Sequence, residues 1–373
     1  MTRWKPTRKP GVTFAVSLLA LWLFWLAFGV IHQSHKPGSI MNDIYNTTLG
    51  FEKIFVIGLP ERTDRRDSIT LQAALSNLDF EFIDGVYGDN VKNKAIPKTT
   101  EHERLGPGTV GCWRAHMDAV HQVVKRNLTS ALILEDDVDW DVRIRQQLYN
   151  MALATQALIQ PLAGRKYSFA DETYQPQTHQ APPKRPVKEI PEFPINHLPK
   201  TVPATITPYG DRWDLIWVGY CGVNMPVADS PIPRGRVISL DESVPEKRYL
   251  WSLVPPFLLK DEYPDHTRIV HHVKDGACTL GYAITQRGAR ALLHEIALKD
   301  VDDPVYMLLR LYCEGGPSLF NHYRPEGPAN SFSDIENHKG WQDHPLTDMT
   351  RWSVRLNVDN ILDGREMWDQ LPN

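Results

Sequence analysis

Ala131-Leu-Ile-Leu-Glu-Asp-Asp-Val-Asp-Trp-Asp141 is the stretch that decides the fold, because four apolar residues run directly into five acidic groups. A short apolar run of this kind predicts a strand that is buried on both faces of a parallel sheet. In open α/β sheets, ligands bind just beyond the carboxyl ends of such strands. The acidic groups therefore stand where we expect a binding site.

The acidic residues after this strand predict a divalent cation. Neighbouring carboxylates repel one another unless a cation shares them, and hard oxygen ligands suit Mg²⁺ or Mn²⁺. We assign the cation to Asp137 first and to Asp139 second, with a diphosphate substrate in its open positions. The alternative is a solvated acidic loop that follows a core strand.

The segments on either side predict an α/β domain. Apolar runs predict strands over 53–57, 80–83, 211–219 and 278–284, and helical spacing predicts helices over 67–78, 110–125 and 286–296. The β-α-β-loop-α-β order of the first half predicts a single Rossmann-like, mostly parallel sheet with helices on both faces. Thr109 and Thr285 stand where helix N-caps are expected.

The amino-terminal residues predict a membrane anchor. The uncharged run over 12–31 is long enough to cross a bilayer as a helix, and the four basic residues within 1–11 place that tail in the cytosol. We therefore expect a single-pass type II protein of the Golgi or ER membrane with a lumenal domain. A cleaved signal peptide is the alternative. N-glycans are expected at Asn46 and Asn127, the asparagines of two Asn-x-Thr sequons.

Composition sets the remaining boundaries. Residues 32–50 are polar and predict a stem, residues 51–340 the globular domain, and residues 341–373 a C-terminal extension. Ten prolines fall within 161–208, which predicts a surface insert in the domain.

Charge and cysteine content exclude some classes of function. The net charge of −4 and the pI near 6.4 argue against a protein that binds nucleic acid. Four cysteines in an oxidising compartment allow three complete disulfide pairings, and buried free thiols are the alternative.

Several ordered blocks resemble glycosyltransferase family 25, which includes lipopolysaccharide-modifying and procollagen galactosyltransferase-like enzymes. The blocks are Phe55-Val-Ile-Gly-Leu-Pro-Glu-Arg-Thr-Asp-Arg-Arg66, Gly111-Cys-Trp-Arg-Ala-His116, Ala131-Leu-Ile-Leu-Glu-Asp-Asp-Val138, Gly281-Tyr-Ala-Ile-Thr-Gln-Arg-Gly-Ala-Arg-Ala-Leu-Leu293 with Val301-Asp302 after it, and Ser333-Asp-Ile335. The sequence departs from the family pattern at Gly58, where Asn is usual, and at Ala115, where Ser is usual.

The resemblance implies a GT-A-like fold and a metal-dependent hexosyltransferase. Such an enzyme moves galactose or glucose from a UDP-sugar to a glycan or protein hydroxyl with inversion. Inversion by single displacement needs a general base. Asp302 matches the family's Val-Asp position and is our candidate, with Asp303 beside it; ordinary loop or cap aspartates are the alternative.

Further residues are expected to contact the donor nucleotide. Glu135 and Asp136 are expected to reach the ribose or to support the metal ligands. The guanidinium groups of Arg62, Arg65 and Arg66 follow the first strand and suit phosphate or uracil, with salt bridges to nearby aspartates as the alternative.

His116 falls on the apolar face of its predicted helix. A histidine in that position is more often a hydrogen-bonded core or supporting group than a catalyst. A contact with the donor is the alternative.

Two other functions compete with sugar transfer. A metal-dependent phosphohydrolase also uses an aspartate cluster after a buried strand, but Ile57-Gly-Leu-Pro60 supplies no aspartate nucleophile at the end of the first strand. The other is a non-catalytic, membrane-anchored carbohydrate-binding protein, against which the intact acidic cluster argues.

Overall fold

The computed structural model describes residues 39–97, 99, 104–165, 168–174, 190–251, 255–299, 303–305, 314–315, 318–329, 333 and 339–373. The predicted membrane anchor over 12–31 lies outside the described residues. Within the described part, no helix combines the length and the apolar character that crossing a membrane requires.

The described chain alternates strands and helices through its first half and is richer in strands afterwards. The strands are β1 (Lys53–Gly58), β2 (Glu81–Asp84), β3 (Ser130–Glu135), β4 (Val138–Trp140), β5 (Glu192–Pro194), β6 (Leu215–Gly219), β7 (Gly222–Asn224), β8 (Arg236–Leu240), β9 (Thr267–His272), β10 (Asp275–Ala277), β11 (Gly281–Thr285), β12 (Glu314–Gly315), β13 (Phe320–Arg324), β14 (Gly327–Pro328), β15 (Trp341–Gln342) and β16 (Leu346–Thr347). The α-helices are α1 (Thr63–Leu75), α2 (Pro107–Lys125), α3 (Ile144–Ile159), α4 (Leu258–Glu262), α5 (Gln286–Leu292) and α6 (Val358–Leu362).

Among the described residues, nine strands form the central sheet, in the order β2-β1-β3-β11-β6-β12-β9-β8-β5. β1 pairs in parallel with both β2 and β3, whereas β11 runs antiparallel to β3 and to β6. The α/β class and the parallel pairing of the first three strands are thus confirmed, but the sheet is mixed rather than mostly parallel. An apolar run shows that a strand is buried without showing its direction, so the sequence could not reveal the antiparallel β11.

Two hydrophobic clusters cover the two faces of the sheet. Leu132 and Leu134 of β3 face the cluster that α3 covers, whereas Ala131 and Ile133 face the cluster that α2 covers. The prediction of a strand buried on both faces is therefore confirmed, and helices lie on both sides as expected.

The helix boundaries differ from those predicted at their amino ends. α1 begins at Thr63 rather than at residue 67, and α2 begins at Pro107 with Gly106 before it, so Thr109 lies inside the helix. Proline is suited to the first turn because its fixed φ is already helical and its missing N–H would have no partner there. Thr285 caps α5 as predicted, accepting a hydrogen bond from the Gly288 N–H.

Three segments predicted as peripheral pack on the domain. Ile44 and Leu49, predicted to lie in the stem, are fully buried in the core, so the described part of the stem belongs to the domain. β5, inside the predicted Pro-rich insert, forms the edge strand of the central sheet. Val354 of the predicted C-terminal extension is also part of the core.

One disulfide joins Cys221 to Cys278, a choice that the sequence left open. Cys112 is a free thiol in α2. Cys313 lies outside the described residues.

Candidate active site

The acidic residues occupy the short turn between β3 and β4. The carboxyl ends of three parallel strands meet here, because Ile57 of β1 pairs with Glu135 and Gly58 pairs with Asp84. Asp136 and Asp137 form the turn itself. The predicted position of the acidic cluster, at the carboxyl edge of the sheet, is confirmed.

Gly58 makes room for the turn. A Cβ atom at this position would lie 2.2 Å from Oδ2 of Asp136, far inside van der Waals contact. The carboxylate of Asp136 thus fills the space that a side chain at position 58 would take. This contact gives a structural account of the departure from the family pattern at Gly58.

Arg65 is the predicted arginine that reaches the acidic turn. Its Nη1 lies 3.0 Å from Oδ1 of Asp136 and 3.2 Å from Oδ2 of Asp137, so one guanidinium holds both carboxylates. The first turn of α1 places it there, directly beyond the end of β1.

The other two arginines make local contacts instead. Arg62 pairs with Asp64 through Nη2 at 2.8 Å. Arg66 donates to the carbonyl oxygens of Gly58 and Leu59 and pairs with Asp84, and so holds the ends of β1 and β2 together. The alternative, salt bridges to Asp64 and Asp67, therefore describes Arg62, whereas Arg66 pairs with the more distant Asp84.

Two further cationic side chains approach the turn from distant parts of the chain. His322 on β13 places Nε2 3.5 Å from Oδ2 of Asp137. Arg355 donates from Nη2 to the backbone carbonyl of Asp136 at 2.8 Å and from Nε to the side chain of Gln72. The sequence analysis missed both residues, since neither is near the acidic motif in sequence.

β13 carries His322 to the site through strand pairing. The strand runs antiparallel to β4, with Asn321 opposite Asp139, and the backbone N–H of Tyr323 donates to the Asp137 carbonyl at 2.9 Å. Phe320-Asn-His-Tyr-Arg324 does not alternate apolar and polar side chains, so its pattern gave no signal for this strand.

Asp139 is not placed as a metal ligand, which corrects its predicted role. Its side chain is 0% exposed, and both carboxylate oxygens are taken by donors. Those donors are the side chains of Gln72, Thr347 and Ser353 and the backbone N–H groups of Trp140 and Arg355. Asp139 instead fixes the carboxy-terminal segment to β4.

Asp136 and Asp137 are driven towards opposite protonation behaviour. Burial, followed by the charge of Asp137, raises the pKa of Asp136 to about 7. Burial would also raise the pKa of Asp137, but Arg65, His322 and Arg355 together hold it well below its usual range. Asp137 is therefore the carboxylate that keeps its negative charge.

Contact with Asp137 favours the charged form of His322. Burial alone would lower the pKa of His322, yet the hydrogen bond and the charge of Asp137 outweigh it and raise the pKa above its ordinary value. The site thus combines the Asp137 carboxylate with an imidazole whose protonation it favours and with two guanidinium groups.

One carboxylate oxygen of this site has no donor among the described residues. Oδ1 of Asp137 is buried and has no hydrogen-bond partner among the described residues. In the same described part, no group of three or more His, Cys, Asp or Glu side chains is arranged to hold a metal ion. A cation shared by Asp137 and Asp139 does not fit this arrangement, because donors take both oxygens of Asp139. Metal binding by Asp137 stays a prediction.

Glu135 and His116 lie side by side below the turn. The Thr279 hydroxyl donates to Oε1 of Glu135 at 2.6 Å, and His116 Nε2 lies 3.4 Å from the same oxygen. His116 is buried, with Nδ1 3.1 Å from the Tyr282 hydroxyl. It is thus a buried residue hydrogen-bonded to its neighbours, the first of the two interpretations that the sequence allowed.

Cys112 offers no nucleophile to this site. Burial, with the charges of Glu135 and Asp137, raises the pKa of its thiol well above the ordinary value, so the thiol stays protonated. The general base is not defined here: Asp302 lies outside the described residues, and Asp303 is exposed. That assignment stays a prediction.

Comparison with known proteins adds the decisive observation. Residues 51–207 match the model of glycosyltransferase family 25 (LPS biosynthesis protein). The predicted resemblance is confirmed. The matched segment contains the whole acidic turn and Arg65, whereas His322 and Arg355 lie beyond it.

Curated relatives agree with this match. Procollagen galactosyltransferase 1-B of Xenopus laevis is 29% identical over 143 residues, which cover 34% of this chain and 23% of the relative. Procollagen galactosyltransferase 2 of Mus musculus is 23% identical over 133 residues, covering 32% and 21%. Inactive glycosyltransferase 25 family member 3 of Homo sapiens is 29% identical over 111 residues, covering 27% and 19%. The chain spans less than a quarter of the length of each of these relatives.

Proposed function

We propose that this protein is a glycosyltransferase that moves a hexose from a UDP-sugar to a hydroxyl of a glycan or protein. The observation that carries the proposal is the acidic turn at the carboxyl edge of the sheet, inside the segment that matches family 25. In this turn Asp137 stays ionised and keeps one oxygen without a donor. The names of the relatives, two of them galactosyltransferases, favour galactose as the sugar.

The charges around the turn suit a departing nucleoside diphosphate. When the bond to the sugar breaks, negative charge develops on the diphosphate, and preorganised cations stabilise it. Arg65 and Arg355 provide two such groups against the turn, and His322 provides a third when it is protonated. A divalent cation bound at Oδ1 of Asp137 would add Lewis-acid stabilisation of the same charge.

The acceptor side of the reaction needs a base. In an inverting single displacement, a carboxylate takes the proton of the acceptor hydroxyl as that oxygen attacks the sugar. Asp136 has a suitable pKa, near 7, but it is buried and paired with Arg65, so it does not reach an acceptor. We retain Asp302, with Asp303 beside it, as the base.

The proposed setting is the lumen of the Golgi or ER, with residues 12–31 as a type II anchor. The disulfide between Cys221 and Cys278 suits an oxidising compartment. Asn46 and Asn127 are both exposed, as N-glycan acceptors must be.

Donor binding and turnover test the proposal. The full chain in detergent is assayed with a panel of UDP-sugars, with Mn²⁺ and with EDTA, and Asp137→Asn is compared with Asp363→Asn. Asp363 is a matched control because it is an exposed carboxylate paired only locally, with Arg365. We expect one UDP-sugar to bind and turn over, with a loss of at least about tenfold in Asp137→Asn and none in the control.

The other outcomes separate the alternatives. Donor binding without turnover in the presence of varied acceptors would identify a non-catalytic binding protein. One of the relatives is itself named as inactive. Release of phosphate without sugar transfer would indicate a phosphohydrolase. Absence of UDP-sugar binding under all conditions would overturn the proposal.

A further inference from the structure

A second concave surface lies beside β13, outside the acidic turn. It is a cavity of about 70 Å³ whose walls include Tyr220, Met225, Trp251, Phe257 and Met349. Two of these aromatic rings are open to solvent, since Trp251 is 42% exposed and Phe257 is 37% exposed. Large aromatic side chains at such exposure, grouped around a cavity, are typical of a ligand surface rather than of a core.

β13 connects this cavity to the acidic turn. His322 and Arg324 are two residues apart on the strand, so their side chains share one face. Arg324 lies over the ring of Trp251, 5.1 Å from its centroid, and is fixed by Asp348 at 3.0 Å. The indole and the His322 imidazole are therefore separated on the order of 10 Å along the strand face. A disaccharide spans this distance.

The polar groups of the cavity wall suit a neutral ligand. Burial lowers the pKa of His271 to about 4, so the ring is uncharged, and its Nδ1 lies 2.7 Å from the His272 carbonyl. Nδ1 is thus the donor, which leaves Nε2 in the acceptor form. The guanidinium of Arg268 is neutralised by Asp241 at 2.6 Å. The wall combines aromatic faces with neutral hydrogen-bonding groups, as the mixed apolar and hydroxyl surface of a sugar requires.

We propose that this surface, the Trp251 subsite, binds the acceptor glycan one or two sugar units away from the hydroxyl that is modified. The proposal rests on the proposed transferase function. Trp251 is the platform on which an uncharged sugar ring stacks, with Phe257 at its side. Arg324 contacts the indole ring and links its position to the strand that carries His322.

Binding of defined glycans to the full chain tests the subsite. The probes are the monosaccharides galactose and glucose and the disaccharides lactose and cellobiose. Their binding is measured by saturation-transfer NMR in the absence of the donor. The variants are Trp251→Ala and Trp251→Phe, and the matched control is Trp341→Ala, an exposed tryptophan on β15. UDP-sugar binding is measured in parallel on each variant.

We expect at least one disaccharide to bind, about tenfold more weakly after Trp251→Ala and with most of the affinity restored in Trp251→Phe. UDP-sugar binding should be unchanged in all three variants. Disaccharide binding that Trp251→Ala leaves intact, or no binding of any probe by the wild type, would overturn the subsite. If the UDP-sugar still binds in either case, the transferase proposal stands. If the wild-type protein binds no UDP-sugar, the transferase proposal fails independently of the subsite.

Discussion

Removal of the Asp139 carboxylate should destabilise the fold rather than empty a metal site. Asp139 is completely buried and accepts five hydrogen bonds, which come from α1, β4 and the carboxy-terminal segment. In Asp139→Ala these donors lose their acceptor where no water replaces it. One unsatisfied buried donor costs about 1–3 kcal/mol. After partial relaxation of the cluster, we expect a loss of about 4 kcal/mol in the free energy of unfolding.

Asp139→Asn should be much milder, because the amide keeps the shape and one acceptor oxygen. The Thr347 and Ser353 hydroxyls can rotate so that they accept from the new NH₂ group. We expect a loss of about 1–2 kcal/mol. Exposed Asp363→Ala is the control and should change stability by less than about 0.5 kcal/mol.

Urea denaturation, followed by circular dichroism, gives the unfolding free energies, and Mn²⁺ binding to the folded variants is measured alongside. A metal ligand would behave in the opposite way: its removal would weaken Mn²⁺ binding and leave the urea midpoint almost unchanged. An Asp139→Ala protein with wild-type stability and lost Mn²⁺ affinity would therefore refute the structural role assigned to this carboxylate.

Three further predictions concern other parts of the domain. Gly58→Ala should displace the Asp136 carboxylate, lower the melting temperature and weaken UDP-sugar binding, whereas Gly106→Ala, with no atom near its added methyl group, should do neither. Asp136 has a folded pKa raised from 3.8 to about 7, so its ionisation destabilises the fold as pH rises between these values. Urea titrations at pH 4 and pH 8 should thus show a smaller decline in Asp136→Asn than in the wild type, and an equal decline would contradict the raised pKa. Cys221→Ser breaks the disulfide to Cys278, which spans 57 residues, and should cost about 4 kcal/mol by the loop-entropy relation; a variant with the wild-type urea midpoint would show that the bridge does not stabilise the fold.

The sequence predicted the parts of the fold that local pattern determines. The apolar run before Glu135 predicted a doubly buried strand, and its position at the carboxyl edge followed from general rules of α/β sheets. The Thr285 cap was predicted because capping needs only a side-chain oxygen three residues before the amide it satisfies. Arg65, one of three arginines expected near the donor, lies against the acidic turn, and its contact with the donor stays a prediction.

Long-range pairing explains what the sequence did not predict. His322 and Arg355 reach the acidic turn only because β13 pairs with β4 and Asp139 anchors the segment after β16. The sequence does not distinguish the roles of Asp137 and Asp139, because both are aspartates of one acidic motif. Their separation into an open carboxylate and a saturated one depends on donors from α1 and from residues beyond 346.

The anchoring of Asp139 also sets the smallest piece of chain that can fold around the turn. Residues 51–207 carry the family match, but an isolated fragment with these limits would bury Asp139 without Thr347, Ser353 and the Arg355 amide. A nascent chain in translation meets the same restriction, because the acidic turn stays incomplete until residue 355 has left the ribosome. The boundary of sequence similarity and the boundary of the cooperative folding unit are thus different positions in this protein.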